Sequence, residues 1–131
     1  LKKSKKLKIR GQNTTYFWKP EEGKRRSIRP DITISDRTGN YVLDTKWKLI
    51  TDKPSIEDIR QMYVYHHYFK AKKVALLYPG VAASVKGNFI DANSQMPSSG
   101  MECGLLFTHH KGSAKEWQQH IEKEIQHWIT A

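Results

Sequence analysis

Apolar and polar positions alternate most clearly over residues 41–48. There Tyr41, Leu43, Thr45 and Trp47 share one face of an extended chain, and Val42, Asp44, Lys46 and Lys48 share the other. This predicts a strand with one apolar and one charged face. Residues 28–35, with Ile28, Ile32, Thr33 and Ile34, predict a preceding strand, and a turn over 36–40 with Gly39 at its tip makes the two antiparallel neighbours. Further upstream, residues 5–18 predict two short strands around a turn at 11–13, and residues 20–24 a second turn. Ser55 followed by Asp58 is a helix-start signature, and Ile56, Ile59, Met62, Tyr63, His66 and Phe69 recur at helical spacing, so a helix is expected over 55–70. The apolar run 74–78, stopped by Pro79-Gly80, predicts a buried central strand reached directly from that helix. Residues 86–102 lack periodicity and read as a long loop before a last strand at 105–108. Ser113 and Glu116 then open a final helix carrying Trp117, Ile121, Ile125 and Trp128 on one stripe. Neither a repeat nor a linker divides the chain.

Length constrains this pattern to a single domain, 1–131, because 131 residues split in two would leave each half short of core. A hydrophobic fraction of 37% suffices for one core and excludes a disordered or low-complexity chain. Cys103 is the single cysteine, and no basic stretch leads into an apolar run with a cleavage site, which reads as intracellular, cytoplasmic. The longest apolar run falls far short of the roughly 20 residues of a membrane span, so no membrane association is expected. The chain opens on Leu1 rather than Met, as expected of a processed product or of one piece of a longer protein.

Charge changes the picture more. The formal net charge is +10, and residues 1–29 hold eleven basic residues against Glu21 and Glu22, a net of +9. The other 102 residues hold twelve basic and eleven acidic side chains, a net of +1. An excess concentrated in the first quarter suits a phosphate backbone or, equally, a solvated basic arm. Lys24, Arg25, Arg26 and Lys48 are the candidate phosphate contacts.

Candidate chemistry lies on the two neighbouring strands. Asp31 on one and Asp44 on the next can converge, and Asp44 and Lys46, two apart, point to the same side. Two carboxylates can hold a hard divalent cation that neutralises a phosphodiester and activates water, and Lys46 can orient that water or offset transition-state charge. Oxygen ligands favour Mg²⁺ over Zn²⁺. The plain alternative is a surface Asp–Lys ion pair with Asp31 as a turn residue. Asp58, Gln61 and Tyr65 fall at i, i+3 and i+7, a polar stripe that the helix can aim at the site.

Pro30-Asp31, Asp44-Thr45-Lys46 and Gln61-x-x-x-Tyr65 resemble, in that order, the PD-(D/E)XK nuclease superfamily, and its RecB-like branch in particular. Residues 29–32 (RPDI), 43–48 (LDTKWK), 58–65 (DIRQMYVY) and 76–79 (LLYP) are similar to the McrC-type nuclease domain of McrBC modification-dependent restriction systems, a resemblance that runs from about residue 28 to the terminus. It implies a restriction-endonuclease-like α/β/α fold with a central mixed β-sheet flanked by helices. It implies that Asp31 and Asp44 hold Mg²⁺, for which Mn²⁺ substitutes, that the Thr45 carbonyl adds a ligand, that Lys46 assists catalysis, and that Gln61 and Tyr65 support the site. It further implies double-stranded DNA as substrate and a McrB-like GTPase motor as partner. The family's fold begins with a helix that often contributes a Glu. No such helix precedes residue 28, and Glu21 and Glu22 fall in a turn, so that helix lies upstream of residue 1 or the site works with fewer carboxylates. The region that contacts McrB is likewise expected upstream.

Adjacent histidines, His66-His67 and His109-His110, point apart and do not make a zinc site with Cys103, which reads as a buried, inert thiol. The expected activity is therefore a Mg²⁺-dependent DNA endonuclease, and the rival is a nucleic-acid-binding module that keeps the fold without the chemistry.

Overall fold

The computed structural model describes residues 8–11, 15–46, 54–109 and 113–131. They form β1 (Lys8–Gly11), β2 (Thr15–Trp18), β3 (Arg26–Ile28), β4 (Ile32–Asp36), β5 (Gly39–Thr45), α1 (Ile56–Tyr68), β6 (Ala71–Pro79), β7 (Val85–Ile90), β8 (Pro97–Thr108) and α2 (Ala114–Thr130). Six strands make a mixed sheet in the order β1-β4-β5-β6-β8-β7, and β2 and β3 make a separate two-stranded ribbon. The centre of the sheet is parallel: β6 runs alongside both β5 and β8. A parallel pair needs a crossover, which α1 supplies between β5 and β6 and the β7 hairpin between β6 and β8.

Alternation along β5 sends Tyr41 and Leu43 to one face and Val42 and Asp44 to the other, and all four are buried. The face expected to be charged is therefore covered as well. Tyr41, Leu43, Ala75, Leu77 and Leu106 pack against Ile125, Trp128 and Ile129 of α2, while Val42, Val74, Leu76, Tyr78 and Cys103 pack against Met62 and Tyr65 of α1. With a helix on each face, the sheet forms an α/β/α sandwich of the restriction-endonuclease-like kind, as the resemblance implied.

Caps hold both helices where the sequence put them. Ser55 Oγ accepts from Asp58 N at 3.0 Å, and Ser113 and Glu116 complete a reciprocal capping box. Lys73 Nζ donates to the carbonyls of Trp128 and Ala131 at the end of α2, tying that helix to β6. At the β4–β5 turn Asp36 Oδ1 accepts from the backbone N–H groups of Thr38 and Gly39, with Gly39 at φ +148°.

Three expectations are corrected. Strands β1 and β2 exist but do not pair with each other: β1 pairs with β4, and β2 with β3. Residues 28–35 are not one strand, since β3 ends at Ile28 and β4 begins at Ile32, leaving Asp31 in the intervening bend. Residues 86–102 are not a loop but most of the β7–β8 hairpin, stitched by backbone pairing that needs no apolar alternation. Among the described residues no helix is long and apolar enough to cross a membrane.

Candidate active site

Antiparallel pairing of Ile32 with Leu43 places Asp31 beside the C-terminal end of β5. Three hydrogen bonds lock the junction. Asp31 N donates to Asp44 Oδ1 at 3.0 Å, and Asp31 Oδ2 accepts from Thr45 N at 2.8 Å and Thr45 Oγ1 at 2.6 Å. Lys46 follows on the Asp44 side, its backbone N bonded to Leu77 O of β6. Its Nζ lies 3.0 Å from Asp44 Oδ2, 2.8 Å from Gln61 Oε1 and 3.6 Å from Asp58 Oδ1. Gln61 Nε2 donates in turn to Tyr65 OH at 3.2 Å. The helical stripe Asp58, Gln61, Tyr65 thus faces the Asp-x-Lys strand end, and the ammonium sits among two carboxylates and an amide oxygen.

Burial sets the electrostatics. Asp44 is only 6% exposed, and that desolvation raises its pKa more than Lys46 and the Asp31 N–H lower it. Burial also works against the Lys46 ammonium, but the hydrogen bond and charge of Asp44, with Asp58 behind it, outweigh it and hold Lys46 above the ordinary lysine value. The cost of desolvation falls on the carboxylate, and Lys46 stays a cation. Burial, and then the charges of Asp44 and Asp31, push the Tyr65 hydroxyl up to about 12. Burial and Asp58 do the same to Tyr78, whose hydroxyl reaches Asp58 Oδ2 at 3.4 Å. Both tyrosines are neutral hydrogen-bonding posts at physiological pH.

Five of the residues singled out in the sequence, Asp31, Asp44, Lys46, Gln61 and Tyr65, are brought together in one connected network with Thr45. Lys24, Arg25 and Arg26 are not: they lie exposed around the start of β3, and no hydrogen bond or ion pair among the described residues links them to this network. Lys48 lies outside the described residues. Asp58 received no role from its place on the stripe. Its reach to Lys46 depends on how α1 docks beside Tyr78 of β6, which local spacing does not encode.

The donor set fits a hard divalent cation. Asp31 uses Oδ2 for Thr45, and no hydrogen bond among the described residues reaches its Oδ1. In an extended strand the N–H and C=O of one residue leave on the same side, so the Thr45 carbonyl shares the Asp31 side with the Thr45 N–H. Two carboxylates and a carbonyl are the kind of partial oxygen shell that Mg²⁺ completes with water and phosphate. Among the described residues no three His, Cys, Asp or Glu side chains gather into a metal cage.

A mixed sheet between two helices, with carboxylates and a lysine gathered at one strand end, defines a restriction-endonuclease-like α/β domain. Residues 1–79 match the family described as McrBC 5-methylcytosine restriction system component, and the chain belongs to that family. This bears out the resemblance to McrC-type domains. The fold is similar to a chain in the refined half-complex from a tetradecameric assembly of Thermococcus gammatolerans McrB AAA+ hexamers with bound McrC, with a TM-score of 0.63 and 16% identity. That match covers 94% of this chain and 29% of the other, so the present chain spans less than a third of its length. No curated protein matches the chain.

Proposed function

We propose that this chain is a Mg²⁺-dependent endonuclease domain of the PD-(D/E)XK kind, the DNA-cleaving part of a McrBC-like modification-dependent restriction system in the cytoplasm, working on double-stranded DNA with a McrB-like GTPase motor. The observation that carries this reading is the meeting of Asp31, Asp44 and Lys46 at one strand end, with the Lys46 ammonium 3.0 Å from Asp44. Asp31, Asp44 and the Thr45 carbonyl would hold Mg²⁺, or Mn²⁺ in its place. Once bound, the ion supplies charge neutralisation for the phosphodiester and acidifies a water molecule. Lys46, kept charged by its two carboxylate neighbours, offsets the negative charge that grows on the phosphate. Gln61 fixes the Lys46 rotamer, and Tyr65 fixes Gln61. Lys24, Arg25, Arg26 and Lys48 supply phosphate contacts outside the reacting centre.

The test is supercoiled plasmid incubated with the chain and Mg²⁺ or Mn²⁺, with and without a McrB-like GTPase and GTP, against a Lys46→Ala control. The expected result is metal-dependent nicking that the substitution slows by roughly 10²–10³-fold, the usual effect of losing one transition-state donor. Nicking that persists at full rate in Lys46→Ala, or no nicking even with the partner GTPase, would leave a DNA-binding module in its place.

A further inference from the structure

The β2–β3 ribbon carries three consecutive aromatic residues, Tyr16, Phe17 and Trp18, exposed by 56%, 46% and 60%. One is accounted for by packing. Phe17 meets the edge of Tyr68 on α1, ring centres 5.2 Å apart, and anchors the ribbon to the helix. Tyr16 and Trp18 belong to neither core cluster. The Tyr16 ring lies under the Arg25 guanidinium, 3.8 Å from its centre, and Trp18 sits opposite Arg26 across the ribbon. Register slips between Tyr16 and Trp18, an irregularity of the kind that re-aims side chains on a strand. The same stretch of chain carries the exposed cations Lys19, Lys24, Arg25, Arg26 and Arg29, with Glu21 and Glu22 as its acids.

An isolated two-stranded ribbon is marginal in water, and the exposed Trp18 ring, in neither core cluster, adds little to its stability. Rings interleaved with cations are, however, the chemistry of a stacking platform for a nucleic-acid strand. We propose that the β2–β3 ribbon binds single-stranded DNA, with an unpaired base stacked on Trp18 beside the Tyr16–Arg25 pair and the flanking phosphates held by Lys24, Arg25 and Arg26. Charge complementarity selects the polyanion, and the open ring selects the unpaired base, because a duplex keeps its base faces covered by their neighbours. The DNA-cleaving reading supplies the class of partner, but no residue of the candidate active site takes part.

The test is fluorescence anisotropy of the whole chain with a labelled oligothymidylate and a blunt duplex of equal length, in EDTA so that nothing is cut. Trp18→Ala should weaken oligothymidylate binding roughly tenfold, as loss of one base–aromatic stack does, while duplex binding stays within about twofold and Trp18→Phe retains most of the affinity. The Arg25→Ala/Arg26→Ala variant should lower the salt slope on the single strand by roughly 1.4, for two phosphates released. Thermal melting checks that each variant folds. Oligothymidylate affinity unchanged in Trp18→Ala, or duplex and single strand weakened equally, would overturn the proposal. Plasmid nicking is read separately: Trp18-dependent binding in a chain that never cuts keeps the ribbon and removes the nuclease, and cutting with Trp18-indifferent binding does the reverse.

Discussion

The two faces of the sheet are built to different ends. Beneath α2 the interior is mostly apolar, with Trp128 set edge-on to Tyr41 at 5.9 Å and Ile125 and Ile129 packed with Leu43, Leu77 and Leu106, and its buried polar atoms, Thr108 Oγ1 and Trp128 Nε1, meet no hydrogen-bond partner among the described residues. Beneath α1 the same strands begin apolar, at Val42, Val74 and Leu76, and end in the polar network of Asp44, Lys46, Asp58, Gln61, Tyr65 and Tyr78. One face stabilises, and the other spends part of its stability on burying charge. A helix can therefore cover a sheet either as a lid on a core or as a scaffold that aims side chains at a strand end.

The largest expected effect is on the α2 face. Trp128→Ala should lower the unfolding free energy by about 3–5 kcal/mol in a denaturant titration, through lost burial and the cavity left behind. Gly104→Ala should cost about 1–3 kcal/mol, because an added Cβ would stand 3.2 Å from Trp128 Nε1 in a packed core. Neither should change the nicking rate per folded molecule. On the α1 face the pattern should invert: Gln61→Ala removes the amide oxygen 2.8 Å from Lys46 Nζ and should slow nicking about tenfold, the equivalent of one hydrogen bond to a charged group, while unfolding shifts by ~1 kcal/mol or less. Equal losses of stability and activity on both faces would erase the distinction.

A smaller effect depends on pH. His66 is buried on the α1 face, its Nε2 meets no hydrogen-bond partner among the described residues, and burial lowers its pKa from 6.5. The folded chain thus resists a proton that the unfolded chain accepts. Stability should fall as pH drops below about 6.5, by up to roughly 1.4 kcal/mol per unit until the folded pKa is reached. His66→Leu should flatten that slope in urea midpoints compared between pH 7.5 and pH 5.5.

Much of this arrangement was readable in the chain. The caps at Ser55 and Ser113, the apolar run of β6 and the α2 stripe at Ile125 and Trp128 are local signals, and each element formed where its signal lay. Asp44 and Lys46, and Gln61 and Tyr65, were legible because strand alternation and helical spacing fix which side chains share a side, whereas Asp31 lies in a bend and was legible only as the residue leading into the neighbouring strand. Non-local partnership was not. The turn signal at 11–13 says nothing of β1 choosing β4 and β2 choosing β3. The β7–β8 hairpin hid among Gly, Asn, Ser and Pro because backbone bonds make it, and only from Cys103 onward does β8 bury side chains. The burial of Asp44 was invisible too, since it depends on a helix covering what reads as a charged face.

Binding of Mn²⁺ without DNA, followed by the loss of the free-ion electron paramagnetic resonance signal, tests the candidate cation site most directly. The wild-type chain should take up the ion, and Asp31→Asn and Asp44→Asn should each weaken uptake at least tenfold, with Trp128→Phe as an unaffected control. Undiminished uptake in the Asp31→Asn/Asp44→Asn double variant would contradict the assignment of these carboxylates to a metal.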